Sequence, residues 1–295
     1  MFDSIIIGGG PAGLTAAIYL ARAKRRVAVV ERLFAGGQAG VLSVIENYPG
    51  FGRVSGYELI DGMTKQETGF GAEFIAGEAV AIERAADGNY KVKLSDGRVL
   101  DGKTVVIASG CKARGLGLAG ESELVGAGVS YCATCDGNFF RGRTVAVTGY
   151  GERAREAAEY LVKIAAKVYL ITQDDIEVDG TEKIEGRVTA LSGHPLRAVE
   201  VACGEKKTEL ETSGLFISAG YAPVTHYAEG LAELDERGFA VTDESMRTGA
   251  DGIYAVGDVR KKELRQIVTA TSDGAIAATA IIKYLAKKNR REVCR

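Results

Sequence analysis

The chain has 295 residues, with 39 Gly, 4 Pro and a formal net charge of −2, and its mean hydropathy is +0.02. That length suggests about two domains of ordinary size, and the near-neutral charge excludes a global basic field for nucleic acid or an anionic membrane. No apolar run approaches the roughly eighteen residues of a membrane span, and five cysteines, an odd number, argue against a secreted disulfide framework.

The first element is an apolar strand, Ile5-Ile6-Ile7. It is reached without the basic stretch and cleavage site of a signal peptide, so a cytoplasmic protein is expected. The strand runs into Gly8-Gly9-Gly10-Pro11-Ala12-Gly13, an alanine-rich helix to about Ala23 and a second strand at 26–31. The spacing Gly8-x-Gly10-x-x-Gly13 between strand and helix is that of a dinucleotide-binding turn. The glycines let the backbone approach a pyrophosphate, which sits at the positive helix N-terminus. Glu31 ends the next strand, where a carboxylate accepts bonds from an adenosine ribose. The plain alternative is a glycine turn with no ligand, and the pattern alone does not choose FAD over NAD.

Strands follow at 78–84, 90–95 and 99–108, with turns at Asp87-Gly88 and Asp96-Gly97. A second strand–loop–helix begins at Thr144 and passes through Gly149-Tyr150-Gly151-Glu152-Arg153-Ala154. Its helix extends to about Ala166, and a strand at 167–172 comes next. Segments 183–191 and 197–202 read as a hairpin around Gly193-His194-Pro195. The last part holds a strand at 253–256, then Gly257-Asp258, a helix at 272–287 and a polar tail expected to fray. Asp258 is placed to meet a flavin hydroxyl, or is simply a turn residue. Two such starts imply an α/β protein with two Rossmann-like dinucleotide-binding domains of FAD/NAD(P) type.

Cys132-Ala133-Thr134-Cys135 can close a small disulfide at a helix start, where one thiol pKa is lowered. Such a pair accepts two electrons and then attacks a partner's disulfide through a mixed disulfide. Asp136 adjoins it and can hold or give the proton. A zinc half-site is the structural alternative. It lacks a second C-x-x-C, and His194 and His226 are isolated, so no metal is expected. Cys111 reads as a packed small residue, Cys203 as a strand residue and Cys294 as a terminal accident.

At Cys132-Ala133-Thr134-Cys135-Asp136-Gly137 the chain resembles the low-molecular-weight thioredoxin reductases. Matching pieces run nearly end to end: the first glycine loop, Gly36-Gly37-Gln38, Glu46-Asn47-Tyr48-Pro49-Gly50, Val106-Ile107-Ala108-Ser109-Gly110, Gly257-Asp258 and Arg265-Gln266-Ile267. The resemblance implies one FAD domain from 1–113 and 247–295, with a dithiol domain inserted at 114–246. Glycine-containing junctions at 114–117 and 246–249 would then serve as hinges. It also implies a homodimer, thioredoxin as a partner, and FAD contacts from Gly37, Gln38, Asn47, Gly110, Asp258 and Gln266 beside Gly8, Gly10, Gly13 and Glu31. Cys135 would face the flavin and Cys132 the substrate.

The second glycine loop departs from that family. The usual loop has small residues where this chain has Tyr150 and Arg153, and an arginine cluster for the NADPH 2′-phosphate should follow the next strand. Between Arg155 and Arg187 there is no arginine, while Asp174, Asp175, Glu177, Asp179 and Glu182 gather there and repel a phosphate. The ten residues 173–182 also cannot hold a crossover helix with its loops. The second domain is therefore expected to be truncated and NADPH unfavoured. The nearest resemblance is to the ferredoxin-dependent flavin thioredoxin reductases, with basic runs at 22–26, 260–265 and from Lys287 as docking candidates for an acidic ferredoxin. An NADH-dependent enzyme, using Asp174 and Asp175 on a ribose, and a flavin-binding regulator without turnover are the competing readings.

Overall fold

The computed structural model describes residues 1–32, 35–42 and 44–293, with side chains through Lys288. Cys294 lies outside the described residues. The chain divides into two compact units, Met1–Lys112 with Ala222–Arg295, and Ala113–Tyr221.

The first unit opens with β1 (Ser4–Ile7), α1 (Pro11–Arg22) and β2 (Val27–Glu31). Pro11 at the first helical position suits α1, because an N-terminal helix amide has no partner to lose. Helices α2 (Gly37–Gly40) and α3 (Gly56–Gly69) follow. The start of α3 is fixed by a capping box in which the Ser55 hydroxyl accepts the Glu58 N–H and Glu58 accepts the Ser55 N–H. Strands β3 (Glu73–Ala76), β4 (Ala79–Arg84), β5 (Tyr90–Leu94), β6 (Val99–Gly102) and β7 (Val105–Ile107) complete its first part, and β18 (Ile253–Ala255) and α6 (Ile267–Val293) its second.

Five parallel strands lie in the order β18-β7-β1-β2-β3. Alternate residues feed two cores. Ile6, Val27, Val29, Val106 and Tyr254 pack with α1 and α6. Ile5, Ile7, Ala28, Val30, Val105 and Ile107 face the antiparallel sheet β4-β5-β6. Burial on both faces explains why these strands read as unbroken apolar runs. The expected strand at 99–108 is two strands in different sheets: β6 ends at Gly102, where a side chain would strike Ile5 at 2.8 Å, and the chain bends at Lys103 before β7. The terminal helix is longer than expected, starting at Ile267 and reaching Val293.

The inserted unit contains β9 (Val129–Ser130), α4 (Ala133–Asp136), β10 (Thr144–Gly149), α5 (Gly151–Val162), β11 (Lys167–Thr172) and β12 (Thr181–Glu185), then β13 (Arg187–Ser192), β14 (Ala198–Cys203), β15 (Lys206–Glu211) and β16 (Gly214–Ser218). Its parallel sheet has the order β12-β11-β10-β16-β9. One face packs on α5 through Val145, Val147, Leu161 and Phe216, the other on the antiparallel sheet β13-β14-β15 through Ala146, Leu215 and Val199. The segment read as one hairpin strand at 183–191 breaks at Gly186, so that β12 joins the parallel sheet beside β11 and only β13 enters the hairpin. A Cβ at Gly186 would lie 2.7 Å from the Ala202 carbonyl oxygen, so the break needs a glycine.

The boundary expected at Met246 falls elsewhere. The chain crosses between units at 112–113 and 221–222, along β8 (Cys111–Ala113) and β17 (Tyr221–Pro223), which form a two-stranded sheet. Residues 222–246 belong to the first unit, where Tyr227, Ala228, Ala232 and Ala240 join the core with Ile5 and Ile7. The junction at 246–249 is no hinge: Met246 is buried in the α1–α6 core and Arg247 bridges antiparallel to Tyr254. Among the described residues no helix is long and apolar enough to cross a membrane.

Candidate functional site

The dithiol lies in the inserted unit. Cys132 and Cys135 form a disulfide with Cα atoms 5.3 Å apart. Cys132 is the N-cap of the short α4, and its Sγ accepts the Cys135 N–H at 3.2 Å. Gly137, just after, lets this turn press against α5, since a Cβ there would meet Tyr160 at 3.0 Å. Both cysteines are half-buried and Thr134 between them is exposed, so the disulfide has an open side. Asp136 accepts from the Ser130 hydroxyl at 2.6 Å, and the Ser130 oxygen accepts the Cys132 N–H at 3.0 Å. Burial holds the Asp136 carboxyl above the usual carboxylate range, against the opposing Ser130 bond. A carboxyl whose proton is held more tightly than usual thus stands one residue from a redox sulfur. Cys111 is buried and Cys203 exposed at the end of β14, and among the described residues no group of His, Cys, Asp and Glu could hold a metal.

The first unit holds the residues expected at FAD. Gly8 has φ +114°, and a Cβ there would lie 2.4 Å from the Ala108 carbonyl oxygen. At Gly13 it would lie 2.0 Å from the Gly8 carbonyl oxygen. Gly10 is the N-cap of α1, and a Cβ on it would meet nothing nearer than 4.0 Å, so its bare face opens on free space. The Glu31 carboxylate accepts the Gly9 and Arg32 N–H groups, each at 2.8 Å. Gly37, with φ +51°, begins α2 beside Gly10. The Gln38 side-chain amide donates to the Cys111 carbonyl. The Asn47 amide donates to Gln266 Oε1 at 3.0 Å, joining two expected flavin contacts that are 219 residues apart. Gly110 has φ +69° and open space where a Cβ would be.

Asp258 follows β18, and its Oδ1 is buried without a hydrogen-bond partner. Burial raises its pKa, with Lys262 and Arg265 opposing. An orphaned buried acceptor is costly unless a ligand hydroxyl fills it. With the glycine-lined helix start, it fits an extended dinucleotide such as FAD.

Two features escaped the sequence reading. Asp273 on α6 accepts the Gly257 N–H at 3.0 Å, Arg260 at 2.9 Å and Lys262 at 2.8 Å, and so fixes the turn that carries Asp258. Ser109 is bonded by the Tyr227 hydroxyl at 2.6 Å and donates to the Val224 carbonyl at 2.6 Å. Neither partner has a spacing signal, since Tyr227 is 118 residues from Ser109.

The basic run 260–265 is not the exposed docking patch expected. Arg260 and Lys262 side chains are only 17% and 9% exposed in their pairs with Asp273. Arg265 donates to the Asp258, Arg260 and Lys262 carbonyls and covers the Phe239 ring at 4.4 Å. A cleft of about 730 Å³ in this unit, lined by Arg84, Arg247, Lys283 and Lys287, adjoins the start of β18 and contains none of the expected cofactor residues.

The second glycine loop repeats the first strand turn. Gly149 presses on β16, where a Cβ would lie 2.5 Å from the Ser218 carbonyl oxygen. The connection from β11 to β12 is parallel, spans only 173–180 and contains no helix. Arg155 donates to the Glu177 carbonyl at 3.2 Å and pairs with Glu152 at 3.4 Å, while Lys167 pairs with Glu182 at 2.8 Å and Lys183 with Asp175 at 3.5 Å.

Residues 2–274 match the profile of the family described as pyridine nucleotide-disulphide oxidoreductase. A thioredoxin reductase of Bacillus subtilis strain 168 is 38% identical over 304 aligned positions, covering 97% of this chain and 95% of that protein. One from Aquifex aeolicus is 40% identical over 308 positions, covering 98% and 95%. These alignments are longer than the 295-residue chain, so the relatives carry residues that it lacks. The crystal structure of thioredoxin reductase from Streptococcus pyogenes superposes with a TM-score of 0.90 at 39% identity, over 97% of this chain and 99% of that one. The chain belongs to the pyridine nucleotide-disulphide oxidoreductase family and is a thioredoxin reductase-like disulfide oxidoreductase.

Proposed function

We propose that the chain is an FAD-dependent enzyme that passes two electrons to Cys132–Cys135 and from there to the disulfide of thioredoxin or a similar small protein, with reduced ferredoxin rather than NADPH as the donor. When bound, FAD collects electrons singly and releases them as a pair. Gly8, Gly10 and Gly13 with the start of α1 hold its pyrophosphate, Glu31 its ribose and Asp258 a ribityl hydroxyl, while Gly37, Gln38, Asn47, Gly110 and Gln266 line the rest. By family likeness the enzyme acts as a homodimer.

Two electrons and two protons open the disulfide to a dithiol. The Cys135 N–H already points at Cys132 Sγ and favours its thiolate. Cys132 then attacks the partner disulfide, and the expelled partner thiolate takes a proton from Asp136. Cys135 gives its proton to the Asp136 carboxylate and attacks Cys132 Sγ, restoring the disulfide; the second partner sulfur leaves as a thiolate, takes that proton, and the partner departs as a dithiol. The family resemblance supports Cys135 as the flavin-side sulfur and Cys132 as the substrate-side one.

The observation that carries the donor assignment is the helix-free connection between β11 and β12, where a nucleotide-binding half has a crossover helix. An NADH-dependent reading has one observation of its own: Asp174 accepts the Gly151 N–H at 2.8 Å, much as Glu31 accepts that of Gly9. The relatives named above are not described as ferredoxin enzymes, which makes the donor the first thing to test. Anaerobic flavin spectra of the purified protein are recorded with NADPH, NADH or reduced ferredoxin. Bleaching by ferredoxin alone, with thiols then appearing in added thioredoxin, is the expected outcome. Stoichiometric bleaching by NADPH overturns the donor assignment and leaves an ordinary thioredoxin reductase.

A further inference from the structure

In a doubly wound sheet a dinucleotide lies across the strand ends where the strand order reverses. In the inserted unit that reversal falls between β10 and β16. One lip of the crevice is the turn from β10 into α5, and the other is the segment 219–221 after β16. Two side chains of this chain bridge the lips. Tyr150, the N-cap residue of α5, donates from its hydroxyl to the Ala219 carbonyl at 2.7 Å. Arg153, in the first turn of α5, sets its guanidinium 5.0 Å from the centroid of the Tyr221 ring, and the Tyr221 hydroxyl donates to the Tyr131 carbonyl at 3.2 Å.

A third group takes up an amide that a pyrophosphate would use. Asp174 Oδ2 accepts the N–H of Gly151, the first residue of α5. In the first loop Glu31 binds Gly9 instead, ahead of the N-cap, and position 9 has no side chain to reach across. The two loops start from the same collision-limited glycine, Gly8 against Ala108 and Gly149 against Ser218, so the side chains at 150 and 153 account for the difference in access.

We propose that Tyr150, backed by Arg153, is the specificity-determining residue that closes this crevice to pyridine dinucleotides. The phenol and the guanidinium occupy the path of the diphosphate and tie α5 to the opposite lip. The inference deepens the donor assignment and rests on it, but the two fail separately.

The test is direct titration of the FAD-loaded protein with NADH and NADPH by calorimetry, comparing the parent chain with a Tyr150→Gly, Arg153→Ser double variant. FAD content and melting temperature establish that the variant is folded. If the double variant loses FAD, Tyr150→Ala alone is titrated in the same way. The parent is expected to show no saturable binding up to about 1 mM, and the variant to gain at least about tenfold in NADH affinity. NADPH should gain less, since the carboxylates at Asp174 and Asp175 remain. A folded variant that binds NADH no better than a non-binding parent overturns the closure while the donor assignment stands. A parent that already binds either nucleotide at micromolar concentration overturns both.

Discussion

The two glycine loops share their first half and part in the second. Gly8 and Gly149 each end a buried strand, and a Cβ on either would enter the neighbouring strand's carbonyl at 2.4 and 2.5 Å. The helix then continues over Gly10, open on one side, in the first unit, and over Tyr150 and Arg153, bonded across the crevice, in the second. After the second strand, the first unit spends α2 and α3 before β3, whereas the inserted unit reaches β12 with no helix at all. The lesson is that the strand-to-helix turn is held by the packing of the sheet itself. It persists where Tyr150 and Arg153 stand beside the helix start in place of small residues, so a glycine pattern reports fold before it reports function.

The disulfide lies in the inserted unit and the residues proposed to hold FAD lie in the first, and one substitution separates the two roles. Replacing Cys135 by Ser should abolish thioredoxin reduction, by about a thousandfold or more, while FAD stays bound. A parent chain that releases no thiol from any donor, with the substitution changing nothing, would instead favour a flavin-binding regulator without turnover. Asp136→Asn should slow turnover by about a hundredfold. Because burial raises the Asp136 pKa, its proton is available at low pH and lost as pH rises through that value. The parent rate should therefore fall on the alkaline side, and the variant should lack that fall.

Gly13→Ala and Gly149→Ala sharpen the contrast between loops. The first places a Cβ 2.0 Å from the Gly8 carbonyl oxygen and should weaken FAD retention at least about tenfold, read by flavin fluorescence after dialysis. The second strains the inserted unit, lowering its melting temperature without releasing flavin. Equal flavin loss in both would contradict the division of labour.

The smallest effect concerns Glu67, buried on α3 with neither carboxylate oxygen hydrogen-bonded. Burial pushes its pKa from 4.5 to about 7. A carboxyl raised in the folded state favours folding most below the unfolded pKa, and that advantage is lost as pH rises toward 7. Glu67→Gln should therefore stabilise the chain by about 2 kcal/mol at pH 8 and hardly at all near pH 4. Denaturant melts at the two pH values check the sign.

Much of this was legible in the residues. Apolar runs such as Ile5-Ile6-Ile7 announce strands buried on both faces, and a C-x-x-C beside an acid announces a dithiol, because both signals lie within a few adjacent positions. The short spacing after Thr172 revealed the missing crossover, since chain length limits what can be built. The end of the inserted unit was misread at a glycine junction, because the true crossing is a pair of brief strands with no compositional mark.

Neighbouring residues alone set the local chemistry: the strand–glycine–helix turns, the redox pair and the short connection after Thr172. Which groups meet across long separations was set by the packed fold. It brought Asn47 to Gln266, tied Arg260 and Lys262 to Asp273, left Asp258 Oδ1 buried and unpaired, and set Tyr150 against Ala219. The physical reason is that backbone propensities act over a few residues, whereas hydrogen-bond satisfaction and packing are settled by neighbours in space.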